Sequence, residues 1–215
     1  LTDEIPQIFA KWKENGIKLS AFLLGYLGKV SIMELCKRAF DEFSEQGAPI
    51  IIDPAFGDNG KLYGGFDSEY VAAMLDLLKR ADIILPNLTE ATFLLGEEYK
   101  TQYDREYVED IAKKLYIATG ATVVITGVEQ DGLIGELIYD GKKNEYVLME
   151  KVPKFSHGTG DIFAAAFTAK YLNGGSLADS CSVAGKLVAD CLKATADWHG
   201  YGVQFEDVLY SQIKK

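Results

Sequence analysis

The sequence predicts an α/β protein built on a mainly parallel central sheet with helices on both of its faces. Short apolar runs that suit buried strands alternate with longer stretches of helical periodicity through most of the 215 residues. Two of these runs close on a glycine or an acid, at Leu24-Gly25 and Ile52-Asp53, as strands do where the chain turns into a crossover helix. With 48% apolar residues and no internal repeat, low-complexity run or linker, residues 1–215 are expected to form a single domain with a sizeable core.

Taken in order, Asp3 to Asn15 carries Ile5, Ile8, Phe9 and Trp12 at helical spacing, with Thr2 available as a cap and Asn15-Gly16 as a stop. Ile17 to Leu24 reads as a buried strand running into Gly25-Tyr26-Leu27-Gly28, where two glycines bracket an aromatic. Helix is expected over about Ser31 to Glu45, and Pro49 to Asp53 is an apolar strand ending on an acid. The Gly- and Asp-rich stretch from Pro54 to Gly65 is long enough for a lid or binding loop. Ser68 to Arg80 is helical and leads to the strand Ile83-Ile84-Leu85. Pro86-Asn87-Leu88-Thr89-Glu90 then caps the next helix. Tyr103 to Thr119 is helical and Thr122 to Thr126 is a β-branched strand, while Leu133 to Tyr139 and Glu145 to Met149 flank Asp140-Gly141, a hairpin signal. The last third is helical, over Asp161 to Leu172, Ser176 to about Ala196 and Glu206 to Ile213.

A net charge of -10 and a pI near 4.7 argue against nucleic-acid or anionic-membrane partners, which need clustered Lys and Arg. Cys36, Cys181 and Cys191 are widely spaced in apolar helical contexts, so buried free thiols and a reducing cytoplasm are expected. No run reaches the roughly eighteen apolar residues of a membrane span, and no signal peptide is expected.

Ligands of open α/β sheets bind beyond the C-terminal ends of the strands. Topology alone therefore gathers Tyr26, Asp53, Asp58, Asn87, Glu90, Thr126 and Asp161 on one rim. The stretch His157-Gly158-Thr159-Gly160-Asp161 opens a helix, so unpaired backbone N–H groups and the helix dipole make an anion site there. Asp161 reads either as a base standing beside the anion or as a first-turn acid complementing the dipole. Asp53 and Glu90 are candidates to hold Mg²⁺ directly or through water, or else a turn-capping Asp and a helix-start acid. Asn87 suits an Asx turn, Thr126-Gly127 would bring a hydroxyl and bare backbone near phosphates, and Tyr26 is a core ring or a platform for a flat ligand. A Walker loop and a Gly-x-Gly-x-x-Gly turn after the first strand are both missing, and the two histidines, His157 and His199, have no triad-like neighbourhood.

Gly158-Thr159-Gly160-Asp161, taken with Asn87-Leu88-Thr89-Glu90, resembles the signature of ribokinase-like small-molecule kinases. Asp53 to Tyr63 and the Gly25-Tyr26-Leu27-Gly28 turn resemble the pyridoxal kinase branch. The resemblance implies ATP- and Mg²⁺-dependent phosphorylation of the 5′-hydroxyl of a B6 vitamer in a ribokinase-like fold. Asp161 would be the base and a contact to the vitamer, and the N–H groups of Gly158, Thr159 and Gly160 would form the anion hole. Asp53 and Glu90 would organise Mg²⁺ with Asn87 beside them. Asp58 and its loop would cover ATP, Thr126 and Gly127 would approach its phosphates, and Tyr26 would pack on the pyridine ring. A monovalent cation, K⁺ or Na⁺, and a homodimer are implied as well.

Two departures stand out. Leu85 replaces a Thr that many relatives carry before the Pro-Asn pair, and the family's first strand and following segment, roughly sixty to eighty residues, have no counterpart before Leu1. An omitted N-terminal segment is therefore expected. Alternatives are a hydroxymethylpyrimidine kinase, where Cys commonly stands in place of Asp161, a sugar kinase of the same superfamily, and a non-catalytic nucleotide-binding fragment.

Overall fold

The computed structural model describes residues 2–196 and 202–213; His199 lies outside them. The chain runs α1 (Ile5–Glu14), β1 (Phe22–Leu24), α2 (Val30–Phe43), β2 (Ile50–Ile52), β3 (Gly57–Asp58), β4 (Lys61–Leu62), α3 (Ser68–Leu78), β5 (Ile83–Ile84) and α4 (Leu88–Leu95). It continues through α5 (Arg105–Thr119), β6 (Thr122–Gln130), β7 (Leu133–Tyr139), β8 (Asn144–Glu150), α6 (Thr159–Leu172), α7 (Leu177–Ala194) and α8 (Glu206–Ile213). Six strands form the central sheet in the order β1-β2-β5-β6-β7-β8. The first four are mutually parallel, and β7 and β8 close the sheet as antiparallel neighbours.

Strand alternation divides the core in two. Ile51, Ile83, Leu85, Val124 and Ile138 point to one face, where Phe163, Ala164 and Phe167 of α6 and Cys181 and Ala184 of α7 cover them. Ile52, Ile84, Val123, Ile125 and Leu137 point to the other, against α1 to α5 through Phe9, Met33, Phe40, Met74, Leu77, Ala91, Leu94, Ile111 and Leu115. Each fully buried branched or aromatic side chain contributes about 1.5–3 kcal/mol, so these two layers fix which face every strand presents. Helix ends follow their caps: Asp67, Asn87, Asp104 and Ser176 accept from the first turns of α3, α4, α5 and α7, and Gly96 and Gly120 close α4 and α5 in the left-handed region.

Several boundaries depart from the sequence reading. The strand expected from Ile17 shrinks to Phe22–Leu24, with Leu19 joined to Ser44 by an isolated bridge. The stretch expected to be loop contains the β3–β4 hairpin, turned by Asn59 and Gly60 at φ +51° and +72°. That pair is a hairpin signal of the kind that needs positive φ at both turn residues. Strand β6 passes Thr126-Gly127 through a register shift and continues to Gln130. All three cysteines are free, but Cys36 is half-buried rather than buried. No described helix is long and apolar enough to cross a membrane.

Two positions in β7 give sharp tests. A Cβ on Gly135 would lie 2.0 Å from the carbonyl oxygen of Val147 on β8. Gly135→Ala must therefore push the two strands apart, with an expected stability loss of about 1–3 kcal/mol read by urea denaturation. Glu136 faces α7 beside Gly185 and is 5% exposed, with Oε2 unbonded. Burial pushes its carboxyl up to about 8. The native state therefore holds a proton that the unfolded chain releases, so stability falls as pH rises from the ordinary carboxylate range towards 8. Glu136→Gln is expected to flatten that slope and to melt higher than the parent at pH 8.5, by about 1–3 kcal/mol.

Candidate active site

The rim at the C-terminal ends of β1, β2, β5 and β6 is assembled by α4 and α6. At α4, Asn87 and Glu90 form a reciprocal capping box, Asn87 Oδ1 accepting from the Glu90 N–H at 3.0 Å and Glu90 Oε2 from the Asn87 N–H at 3.0 Å. Glu90 is only 2% exposed, and its Oε1 also accepts from the N–H groups of Phe56 (2.9 Å) and Gly57 (3.3 Å). Asn87 Nδ2 donates to the Gly57 carbonyl at 2.8 Å, and Thr89 Oγ1 accepts from the Gly60 N–H at 2.9 Å. One helix start thus pins the segment from Phe56 to Gly60. This over-determination holds Ala55 at φ +46°, a conformation that alanine avoids at a cost of roughly 1–2 kcal/mol.

Asp53 stands at the end of β2. A side chain on Gly160 would come to 3.8 Å from its Oδ2, so the carboxylate faces the first turn of α6. That turn is preceded by Gly158 at φ +85°, and its first hydrogen bond runs from the Ile162 N–H to the Gly158 carbonyl at 3.2 Å. The N–H groups of Gly158, Thr159, Gly160 and Asp161 all precede that first helix bond, the arrangement that suits an anion. Neighbouring backbone locks the entry: Val203 N–H donates to the His157 carbonyl at 2.9 Å. Asp161 is exposed on the same turn. Burial first, then the Asp161 charge, hold the Asp53 carboxyl well above the usual carboxylate range, while the Ala55 N–H pulls the other way. Glu90 is held up likewise by burial and by Asp53.

Thr126 and Gly127 adjoin this group. Thr126 N–H donates to the Pro86 carbonyl at 2.9 Å and Thr126 pairs with Asn87 across an isolated bridge, with Gly127 exposed at φ +68°. Tyr26, 63% exposed, projects from the turn after β1. Asp58 is arranged differently from the other acids: both of its oxygens accept from Asn59, from the N–H at 2.8 Å and from Nδ2 at 2.9 Å, which keeps it on its own hairpin. Tyr63 was given no role in the sequence reading. Burial and the charges of Glu90, Asp58, Asp53 and Asp161 push its hydroxyl up to about 12, which puts it within the field of four acids. Its only signal in the sequence is its place at the end of the Asp53 to Tyr63 pattern.

The donor set suits a divalent cation held mostly by water and phosphate. No group of three or more His, Cys, Asp or Glu side chains among the described residues could hold a metal, whereas Mg²⁺ bound with nucleotide needs only one or two carboxylates. A cation would also relieve the like-charge pairing of Asp53 and Asp161. Asp53, which faces the α6 turn, is the carboxylate better placed to serve it. Glu90 could act only through water while its bonds to Phe56, Gly57 and Asn87 persist.

Comparison with known proteins places this rim in a context. The sequence profile of the phosphomethylpyrimidine kinase family matches residues 7–204. Pyridoxine kinase of Bacillus subtilis is 30% identical over 196 residues, which cover 87% of this chain and 69% of that protein. Hydroxymethylpyrimidine/phosphomethylpyrimidine kinase of Aquifex aeolicus is 27% identical over 195 residues, 89% of this chain and 72% of that one. Among solved structures, a Bacteroides thetaiotaomicron protein designated a phosphomethylpyrimidine kinase, in a crystal form with pyridoxal, superposes with a TM-score of 0.89 at 32% identity, covering 98% of this chain and 77% of the other. An ADP complex of Bacillus subtilis pyridoxal kinase gives a TM-score of 0.76 at 26% identity, with 91% and 73% covered. Matched by one profile over most of its length and sharing its architecture with pyridoxal kinases, this chain belongs to the phosphomethylpyrimidine kinase family, as a kinase of ribokinase-like fold.

Proposed function

We propose that the chain transfers the γ-phosphoryl group of ATP to the 5′-hydroxyl of pyridoxal, pyridoxine or pyridoxamine. The observation that carries this reading is the exposed Asp161 on a helix turn whose backbone N–H groups are open, directly in front of Asp53. Phosphoryl transfer needs positioning and charge neutralisation more than covalent chemistry, and this arrangement supplies both. Asp161 takes the hydroxyl proton as the acceptor oxygen bonds to the γ-phosphorus. The bond from that phosphorus to the bridging oxygen breaks, and ADP leaves with the electron pair. The N–H groups of Gly158, Thr159 and Gly160 neutralise the transferring group, in the manner of an oxyanion hole. Asp53, with Glu90 behind it through water, would hold Mg²⁺, which when bound screens the phosphate charge. Asn87, Asp58, Thr126 and Gly127 would line the nucleotide side and Tyr26 the ring of the acceptor. The same reading carries a K⁺ or Na⁺ ion near the phosphates, a homodimer and a cytoplasmic place of work.

A second reading, hydroxymethylpyrimidine as the acceptor, is favoured by the family profile and by the Aquifex aeolicus relative. An acid at position 161 and the pyridoxal-containing neighbour at 32% identity support the first. Steady-state phosphorylation of the three vitamers and of hydroxymethylpyrimidine, side by side with MgATP, separates them. The expected result is a kcat/KM at least about tenfold higher for one vitamer, a difference of about 1.4 kcal/mol. A preference of that size for hydroxymethylpyrimidine would establish the second reading instead.

A further inference from the structure

Phe66 ends the loop that begins at Pro54, and its backbone N–H donates to the Tyr63 carbonyl at 3.2 Å. The next residue, Asp67, caps α3 by accepting from the Tyr70 N–H at 3.0 Å. Phe66 therefore stands just outside the cap, where an apolar side chain packs back on the first turn of its helix. It does so by stacking on Tyr70, ring centroids 3.9 Å apart at 23°. Tyr70 is buried, so that stack is fixed from beneath by the core.

A helix staple alone would leave the outer face of Phe66 to water. Instead the ring of Tyr26, from the turn after β1, leans on it with centroids 5.5 Å apart at 46°. On its other side Tyr26 lies against Gly28, where a Cβ would meet Tyr26 Cε1 at 3.3 Å and where φ is +73°. A large, mostly exposed ring is thus held between its own turn and Phe66 of a distant loop. Exposed tyrosines that serve only solubility are not clamped in this way, because ordering the ring costs entropy with no burial in return.

We propose that Phe66 is a positioning residue for the acceptor: it fixes the Tyr26 ring as a preformed flat platform on which the substrate's heteroaromatic ring stacks. This rests on the reading of Tyr26 as the acceptor contact. Its ring contacts run to Tyr70 and Tyr26, so it acts on acceptor binding through Tyr26. Loss of a preorganised aromatic contact is expected to weaken binding about tenfold.

The test is steady-state kinetics of Phe66→Ala, Tyr26→Ala and the double variant with pyridoxal and MgATP. Phe66→Ala should raise the KM for pyridoxal about tenfold with kcat and the KM for ATP within about twofold of the parent, and Phe66→Tyr should restore it. In the Tyr26→Ala background, Phe66→Ala should add less than a twofold effect, because the platform is already gone. An unchanged pyridoxal KM in Phe66→Ala, or effects of the two substitutions that multiply, would overturn the proposal and leave Phe66 a staple only. If Phe66→Ala fails to fold, Phe66→Leu keeps the apolar staple without the flat face and must show the same KM rise at an unchanged melting temperature. A parent enzyme that phosphorylates hydroxymethylpyrimidine and no vitamer defeats the substrate reading alone. The same cycle run on that acceptor then still decides the role of Phe66.

Discussion

Asp161→Asn is expected to lower turnover by about 10²–10⁴ while leaving nucleotide binding and the melting temperature close to those of the parent. The two readings of this residue predict opposite patterns, and the structure makes the contrast clean. As a dipole-complementing acid on an exposed first turn, Asp161 would contribute only about 0.3–1 kcal/mol of stability and nothing to the chemical step. As the base, its removal spares the backbone N–H groups of the α6 turn, which bind phosphate irrespective of the side chain at 161. The charge of Asp161 also raises Asp53, so neutralising it removes a like-charge pairing at the edge of a buried carboxyl. Stability should therefore hold steady or rise slightly in Asp161→Asn, and a large fall in turnover cannot be blamed on unfolding. Single-turnover phosphorylation with saturating MgATP, paired with a thermal melt, reads both quantities. Near-parental turnover would take Asp161 out of the mechanism and leave it the role of a helix-start acid.

The parts of this architecture that follow from period and composition were legible in the sequence, and the parts that depend on who accepts from whom were not. Ile51 and Ile52 are adjacent apolar residues, and their division between the two faces follows from the two-residue repeat of a strand. The convergence of Asp53, Asn87 and Glu90 on one rim follows from parallel topology, since each lies just past a strand or at the start of the next helix, whereas Thr126 lies within β6 at its register shift and the 158–161 turn follows the antiparallel β8. Glu90 shows the limit. An acid three residues after Asn87 announces a capping box, and the box is there, but nothing in Asn87-Leu88-Thr89-Glu90 says that the same carboxylate also accepts from Phe56 and Gly57. Those bonds span more than thirty positions and depend on the path of the Pro54 to Gly65 stretch, whose Asn59-Gly60 turn makes a hairpin inside what reads as loop. Tyr63 and Phe66 escaped notice for a similar reason. Their importance lies in what surrounds them, Glu90 and Asp161 beside the local Asp53 and Asp58 in one case and Tyr26 in the other, and those distant partners are not local in sequence.

Glu90→Ala should be the most destabilising single substitution at the rim, with a loss of roughly 3 kcal/mol or more and a melting temperature lower by roughly 6–12 °C. The sign is not obvious, because two effects oppose each other. Burying Glu90 is unfavourable in itself, as its carboxyl is held above the ordinary range by burial and by Asp53, and alanine relieves that. Alanine also strips the acceptor from the N–H groups of Phe56, Gly57 and Asn87 and leaves a void beneath a segment held in strained backbone. Each buried donor without an acceptor costs about 1–3 kcal/mol, so three of them outweigh the relief. Glu90→Gln keeps one carbonyl oxygen for Phe56 and Gly57 but turns an amide N–H₂ towards the Asn87 N–H, so it should lose about a third as much. Chemical denaturation of parent, Gln and Ala variants in that order of falling stability supports Glu90 as the anchor of the loop that follows Asp53 and carries Asp58. Should Glu90→Ala instead melt with the parent while its MgATP dependence weakens, the carboxylate belongs to the cation rather than to the loop. The bonds from Phe56 and Gly57 would then be a resting arrangement that the cation displaces.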